Sequence, residues 1–573
     1  MKKSIIACAA VLTGTAAFAQ SAVDAYRLSQ PDMKGTARYM SMAGAFGALG
    51  GDLSVLSHNP GGIGVYRNSE VGFTLDLDVQ HSESTSNMGK NGVDQTKFLL
   101  NNIGFVWTLR LPSSSCPNLN VGFTYNKNAS FNRRYRGNIN LSNSLSNYIA
   151  AVTTAGGYNA DQLSGAGNDD PYNPSSGYGA PWLSILGYNS YLISSVSDNE
   201  FIGQWGSAYE LDGSPAATSG TGYFDVQESG AIDSYNIALG GNIANVVFWG
   251  MDVDITHMNY NLTPQWSERL ENAVVGDDYG DLWIMPARWA LNNFYNCSGT
   301  GFNYKFGVIV KPIQEFRLGF SFETPTWYSL TETFNANVNY RYGDEQPEVS
   351  ETNDGFPGTN DINFRTPWKI NASAAAVLFN RLIISAEYEW TQYKGMKYSA
   401  PSYWGGDYWY PDYDPWYPWD YYSASPAAYD PYVSNDSFYY TNQDIKETYC
   451  NTNTLRLGAE LRVLPQLSVR AGYSFVSSPV NTKVKNSMIE TAGTIPNYRF
   501  DNTTNYITCG LGYRIKSFYI DLAYVYKHMT SEYHAYSPWY PQSVSNNQEM
   551  IPSPVSSLSL NNSQIVLSAG FKF

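Results

Sequence analysis

Apolar and polar residues alternate one by one through much of this chain. From residue 70 the odd positions Val71, Phe73, Leu75, Leu77 and Val79 are apolar, while Gly72, Thr74, Asp76, Asp78 and Gln80 fall between them. A period of two is the mark of a β-strand with one apolar face. The pattern returns in IGFVWTLRL at 103–111, LNVGFTYN at 119–126 and WGMDVDIT at 249–256, where Asp252 and Asp254 alternate with Met251, Val253 and Ile255. Further on it comes in pairs. LRLGAELRV (455–463) and LSVRAGYSF (467–475) are joined by LPQ, and ITCGLGYRI (507–515) and FYIDLAYVY (518–526) by KS. Links this short predict antiparallel hairpins.

Connection length separates a soluble sandwich from a membrane barrel. Short turns fall at 112–118, 244–246, 313–315, 379–381, 465–466 and 516–517. Long connections fall between them, the largest at 135–230, 263–300, 399–452 and 531–562. Short turns on one side and long loops on the other predict an all-β fold, a transmembrane antiparallel barrel of about fourteen strands. The barrel takes 70–573, and its third strand runs over 119–134.

A mean hydropathy of −0.33 argues against membrane helices only, because each barrel strand is apolar on one face. Aromatics at 15% suit the aromatic girdles of such a barrel. Lys2 and Lys3, an apolar stretch from Ile5 to Ala17, and Ala17-Phe18-Ala19 predict a signal peptide over 1–19 and a mature chain beginning at Gln20. A formal charge of −15 without a basic cluster argues against a nucleic-acid partner. Cys116, Cys297, Cys450 and Cys509 have no CxxC or metal-ligand spacing. Cys509, on an apolar strand position, reads as a packed thiol. Five histidines and no hydrolase, zincin or P-loop motif leave no catalytic residue, metal or cofactor to name. Asp252, Asp254, Glu387, Glu389 and Glu460 read as lumen-facing charge, paired with Arg317, Arg456, Arg462, Arg470 and Arg514.

Two loop segments stand out. Leu141, Leu145, Tyr148 and Ile149 have helical spacing with a glycine stop, and DYWYPDYDPWYPWDYY at 407–422 is an aromatic, proline-stiffened stretch without an aliphatic residue.

A fourteen-strand lumen would leak unless filled, and residues 20–69 are the candidate hatch. Their small residues, Gly44, Ala45, Gly47, Ala48, Gly50 and Gly51, allow close approach to a wall. Asn59-Pro60 sets a turn, followed by Gly61-Gly62. GDLSVLSHNPGGIG directly before a first strand resembles the hatch of the FadL/TodX/OMPP1 outer-membrane transport family, as do TPWKINASAA (366–375) and LRLGAELRVLPQLSVRAGYSFVSSP (455–479). Asn59 and Pro60 match that family's Asn-Pro-Ala motif, Asp52 lies in the same stretch, and Gly61 stands where the motif has alanine.

The resemblance implies a passive outer-membrane transporter of hydrophobic molecules such as long-chain fatty acids or aromatic hydrocarbons. Ligand is captured at external loops and released sideways into outer-membrane lipid. The third strand is the expected opening, because Asn126, Lys127 and Asn128 begin a stretch polar on both faces. The alternative is a non-transporting barrel of this kind that serves as surface partner in protein secretion or a lipoprotein assembly, docking through 135–230 and 399–452.

Overall fold

A computed structural model describes residues 20–573 apart from 31, 114, 166–169, 173–178, 210–214, 277–280, 402–437, 492 and 541–549. Fourteen antiparallel strands form one closed wall. β1 (Glu70–Ser86), β2 (Gly89–Arg110) and β3 (Asn118–Ser130, continued by Arg133–Asn140) begin it. β4 (Ser219–Ile243), β5 (Val247–Gly276) and β6 (Leu282–Ile313) are the longest. β7 (Phe316–Glu323 and Trp327–Tyr342) and β8 (Gly358–Arg365 and Lys369–Leu378) are interrupted at Pro325 and Pro367, which have no N–H to give the ladder. β9 (Leu382–Thr391), β10 (Thr452–Arg462), β11 (Leu467–Val476), β12 (Tyr498–Ile515), β13 (Phe518–His534) and β14 (Val555–Lys572) complete it. β14 pairs back onto β1 from Glu70↔Lys572 to Thr85↔Ser557, which closes the sheet on itself.

Near the short-turn end the outer face is apolar and exposed: Val71, Phe73, Leu77 and Val79 on β1, Met251, Val253 and Ile255 on β5, Phe302, Phe306 and Val308 on β6. Asp76, Asp78, Asp252, Asp254 and Lys305 face inward at the same level and are buried. Such a belt is unfavourable in water and favourable in lipid.

Beyond Ile255 the two faces exchange chemistry. His257, Asn259 and Thr263 now point outward, and Met258, Tyr260, Leu262 and Trp266 are buried inside. On β6 Trp289, Leu291 and Tyr295 turn inward, and on β7 Leu330, Phe334 and Val338 do the same. This is the pattern of strands in water around a shared core. The 32 residues of β6 span about 100 Å along the strand at ~3.3 Å per residue. Only ~9–11 residues are needed to cross the hydrocarbon, so much of the wall stands beyond it.

This exchange corrects three sequence expectations. Residues 263–300 are not a loop but the paired far halves of β5 and β6. Within 135–230 both ends are strand, and the connection proper is 141–218. The alternation never stops there; its apolar side moves from the lipid to the interior. Cys509 is likewise exposed rather than packed, since the apolar positions near it face lipid, and none of the four cysteines forms a disulfide.

The interior beyond the belt is filled by an aromatic core. The helix Leu145–Gly156, at the expected spacing, starts at a Ser144 cap and stops at Gly157 with φ 72°. Its Tyr148 stacks on Tyr536, and Phe224 stacks on Tyr533 with ring centroids 4.1 Å apart. The helix Ala22–Ser29 reaches the same core, with Tyr26 against Tyr449. The aromatic stretch 407–422 lies outside the described residues.

The orientation is open to a direct check. With the long-loop end outside the cell, an epitope tag inserted after Glu345 is expected to be labelled on intact cells, and a tag in the Leu464–Gln466 turn to stay silent. The opposite labelling would invert the topology.

Candidate functional site

Residues 32–66 fill the lumen within the lipid belt, built from the helix Ala37–Ser41, the turn Val55–His58 and the 3₁₀ helix Pro60–Val65. Asn59 is fully buried. Its side-chain carbonyl accepts from the Gly61 N–H at 3.0 Å, and its amide donates to the Gly47 carbonyl at 2.5 Å. One side chain thus caps the 3₁₀ helix and ties it to an earlier hatch segment. Pro60 occupies the first helical position, where a missing N–H costs nothing. A Cβ on Gly61 would lie 2.8 Å from the backbone of Gly307 and Val308 on β6. That contact is the physical reason for glycine here. Gly250 on β5 is equally constrained, since a Cβ there would lie 2.1 Å from the Pro60 carbonyl oxygen. Asp52 is buried and accepts from the Thr36 hydroxyl at 2.7 Å and the Ser54 N–H at 3.0 Å.

Ion pairs clasp this hatch to the wall. Lys34 reaches Asp76 at 2.7 Å and Asp78 at 3.1 Å, and Arg38 reaches Glu460 at 2.9 Å. His58 lies 2.6 Å from Glu387, which Arg456 also meets at 2.7 Å while bonding Glu389 at 3.1 Å. His58, Glu387 and Glu389 offer ligand atoms within 4.8 Å of one another. Arg456 already bonds both carboxylates, so the group reads as an ionic latch. The expected wall pairing holds for Arg456 and for Arg470, which joins Glu460 to Asp521. Arg317 instead donates to the Leu49 carbonyl of the hatch at 2.7 Å, and Arg462 and Arg514 are exposed. The basic groups that sequence reasoning missed are Lys34, Arg38 and His58. Each lies in a segment without periodicity, and only the excess of inward carboxylates signalled a need for them.

The wall parts between β2 and β3. Their ladder runs from Arg110↔Asn118 to Asn102↔Asn126 and stops. An extra residue bulges each strand at this level, Asn101 on β2 and Asn128 on β3. Bulges bend their strands. The continuation Arg133–Asn140 pairs only with β4. It lies against β1, where Ser84 Oγ donates to the Arg136 carbonyl at 2.5 Å. Lys127 keeps the lipid-side parity but is 8% exposed, its ammonium 2.6 Å from Asp233, which neutralises it near the lipid belt. The hatch touches the parting directly, since the Asp32 N–H donates to the Asn128 carbonyl at 3.1 Å.

A cavity of about 40 Å³ opens here, lined on one side by Ala129, Phe131, Met529 and Leu560 and on the other by Asp32, Asp78, Lys527 and Asn562. It has room for a few waters and none for a hydrocarbon chain. Asp32 closes it from the hatch side through its ion pair with Lys527 at 3.2 Å. The sequence-derived residues therefore fall into two places. Asp52, Asn59, Pro60 and Gly61 build the hatch, and Asn126, Lys127 and Asn128 lie at the parting.

Residues 290–537 match the family described as outer membrane protein transport protein (OMPP1/FadL/TodX). The match leaves out the hatch and the first strands. No curated protein matches the chain. Among solved structures, a Pseudomonas aeruginosa FadL homologue is similar at 12% identity and a TM-score of 0.48, over 95% of this chain and 99% of that one. The Pseudomonas putida toluene transporter TodX is similar at 10% identity and 0.45, over 95% and 99%. The Ralstonia pickettii toluene transporter TbuX is similar at 12% and 0.44, over 95% and 99%. With its lipid belt and closed wall, this chain is an outer-membrane β-barrel.

Proposed function

We propose that this barrel passes hydrophobic small molecules across the outer membrane and releases them sideways, through the parting of β2 and β3, into the surrounding lipid. The observation that carries this reading is where the interior changes chemistry. Beyond the belt the lumen is aromatic and aliphatic; within it the lumen is charged and filled by the hatch. The change falls where Met529 and Leu560 give way to Lys527 and Asn562, at the level of the parting. An apolar solute coming from the long-loop end meets a polar floor it cannot dissolve in. Leaving water or a polar lining for lipid is favourable by ~25 cal/mol per Å² of apolar surface, so the downhill route lies through the wall. The transport relatives match this reading in kind, and fatty-acid-like and monoaromatic solutes are the classes to try. A solute of any size needs the cavity to enlarge, and the Asp32–Lys527 pair is the contact that must yield.

A second reading has one observation in its favour. The long-loop end is packed with aromatic side chains and stands well clear of the lipid belt, a form suited to docking a protein. Purification in mild detergent separates the two. Lipid or fatty acid recovered from the lumen by mass spectrometry, with concentration-dependent uptake of a labelled fatty acid or toluene by cells carrying the barrel, is the expected result. A stoichiometric protein partner, with no uptake above an empty-vector control, would reverse the order of the readings.

A further inference from the structure

Glu332 on β7 is completely buried in the aromatic core. Six other glutamates of the described structure are also buried, and each has its charge met. Lysine or arginine meets Glu70, Glu228, Glu387, Glu389 and Glu460. Glu268 accepts from the Leu145 N–H at 2.9 Å, the Ser144 hydroxyl at 2.6 Å and the Trp266 indole at 2.9 Å, at the positive end of a helix. Glu332 has only neutral partners. Among the described residues it makes no ion pair, and its oxygens receive the Tyr295 hydroxyl and the side-chain amide of Gln20. Burial pushes the Glu332 carboxyl up to about 8, so its anion persists at neutral pH only where a positive charge comes close.

Gln20 is the residue that follows the Ala17-Phe18-Ala19 cleavage site. It is 4% exposed, and its side-chain carbonyl oxygen is buried without a hydrogen-bond partner among the described residues. Its backbone is held in place from the next residue on. Ser21 caps the helix Ala22–Ser29 in a reciprocal capping box with Asp24, and Tyr26 of that helix packs between Tyr449 and Tyr393. Gln20, the first residue expected after processing, is therefore held beside a buried glutamate that makes no ion pair among the described residues.

We propose that Glu332 is the binding site for the chain's own mature N-terminus, the α-ammonium of Gln20. Signal removal creates the ligand. Water adds across the Ala19–Gln20 peptide bond, Ala19 departs with the new carboxylate, and Gln20 keeps the amine, which takes up a proton at neutral pH. Before cleavage the same nitrogen is an uncharged amide and cannot pair with Glu332. The inference rests on the cleavage site and not on the transport reading, and its test involves no transport.

The test is amine labelling of the purified, folded mature protein with an N-hydroxysuccinimide ester near neutral pH, read on the N-terminal peptide by mass spectrometry. In the wild type the peptide is expected to begin at Gln20, to stay unlabelled while folded and to label after unfolding. Glu332→Gln is expected to make folded-state labelling about tenfold or more faster, the change produced by one decade in a local opening equilibrium. A Gly-Ser insertion between Ala19 and Gln20 keeps Glu332 but carries the amine away, and is expected to do the same. Combining the two should add little, because both break one contact. Heat-modifiable mobility verifies that each variant is a folded barrel. Four results would overturn the proposal: rapid labelling of the folded wild type, a first residue other than Gln20, an N-terminus lacking a free amine because the glutamine has cyclised, or protection unchanged in Glu332→Gln.

Discussion

Asn59→Ala is expected to unlatch the hatch while leaving the barrel assembled. The substitution removes two hydrogen bonds made by one fully buried side chain and strands the Gly47 carbonyl and the Gly61 N–H in a packed lumen. Each unsatisfied buried group costs about 1–3 kcal/mol, so the turn loses several times thermal energy. The wall ladder loses nothing, because Asn59 bonds only within the hatch. Lys34 and Arg38 still hold the preceding segment to β1 and β10, so the lumen is disordered near the short-turn end rather than emptied. Two phenotypes should appear together: weaker transfer of a hydrophobic probe and greater sensitivity to a bulky hydrophilic antibiotic, with heat-modifiable mobility and surface abundance as in the wild type. If neither phenotype changes at equal abundance, the turn has no part in closing the lumen.

The largest effect is expected from straightening the wall. Deleting Asn101 from β2 and Asn128 from β3 removes the extra residue of each bulge. The register on either side is kept, since Thr74↔Asn102 with Leu75↔Leu100, and Lys127↔Asp233 with Ala129↔Ile232, are already the flanking pairs. The two strands are then free to continue their ladder past Asn102↔Asn126. Each added backbone hydrogen bond contributes about 0.5–1.5 kcal/mol, so the barrel should resist heat better than the wild type. Uptake of a hydrophobic probe should at the same time be lost, because the route into lipid is closed. Opposite movement of stability and uptake distinguishes a sealed wall from a damaged one. Unchanged uptake in a more stable barrel would place the exit elsewhere.

The strand count, antiparallel order and short turns could be read from the chain alone, because a period of two and the length of a link are local properties. Leu467 to Phe475 alternates in any surroundings. The turn at Asn59-Pro60-Gly61 was legible for the same reason, since Asn, Pro and Gly each restrict or free the backbone where they stand. The irregularity of the third strand showed as polar residues on both faces at 126–128. Other features had no local signal. Which side an apolar row faces depends on whether lipid or water lies outside, so one alternation means opposite things at Val253 and at Leu262, and 263–300 read as a loop. The bulge at Asn101 needs a partner strand before it exists. The hatch partners of Asp76, Asp78 and Glu387 are Lys34 and His58, separated from them by 42 to 329 positions, and no spacing rule reaches so far. Closure of the wall decided these, because it brings strand and hatch to one dry space where every buried charge must find its partner.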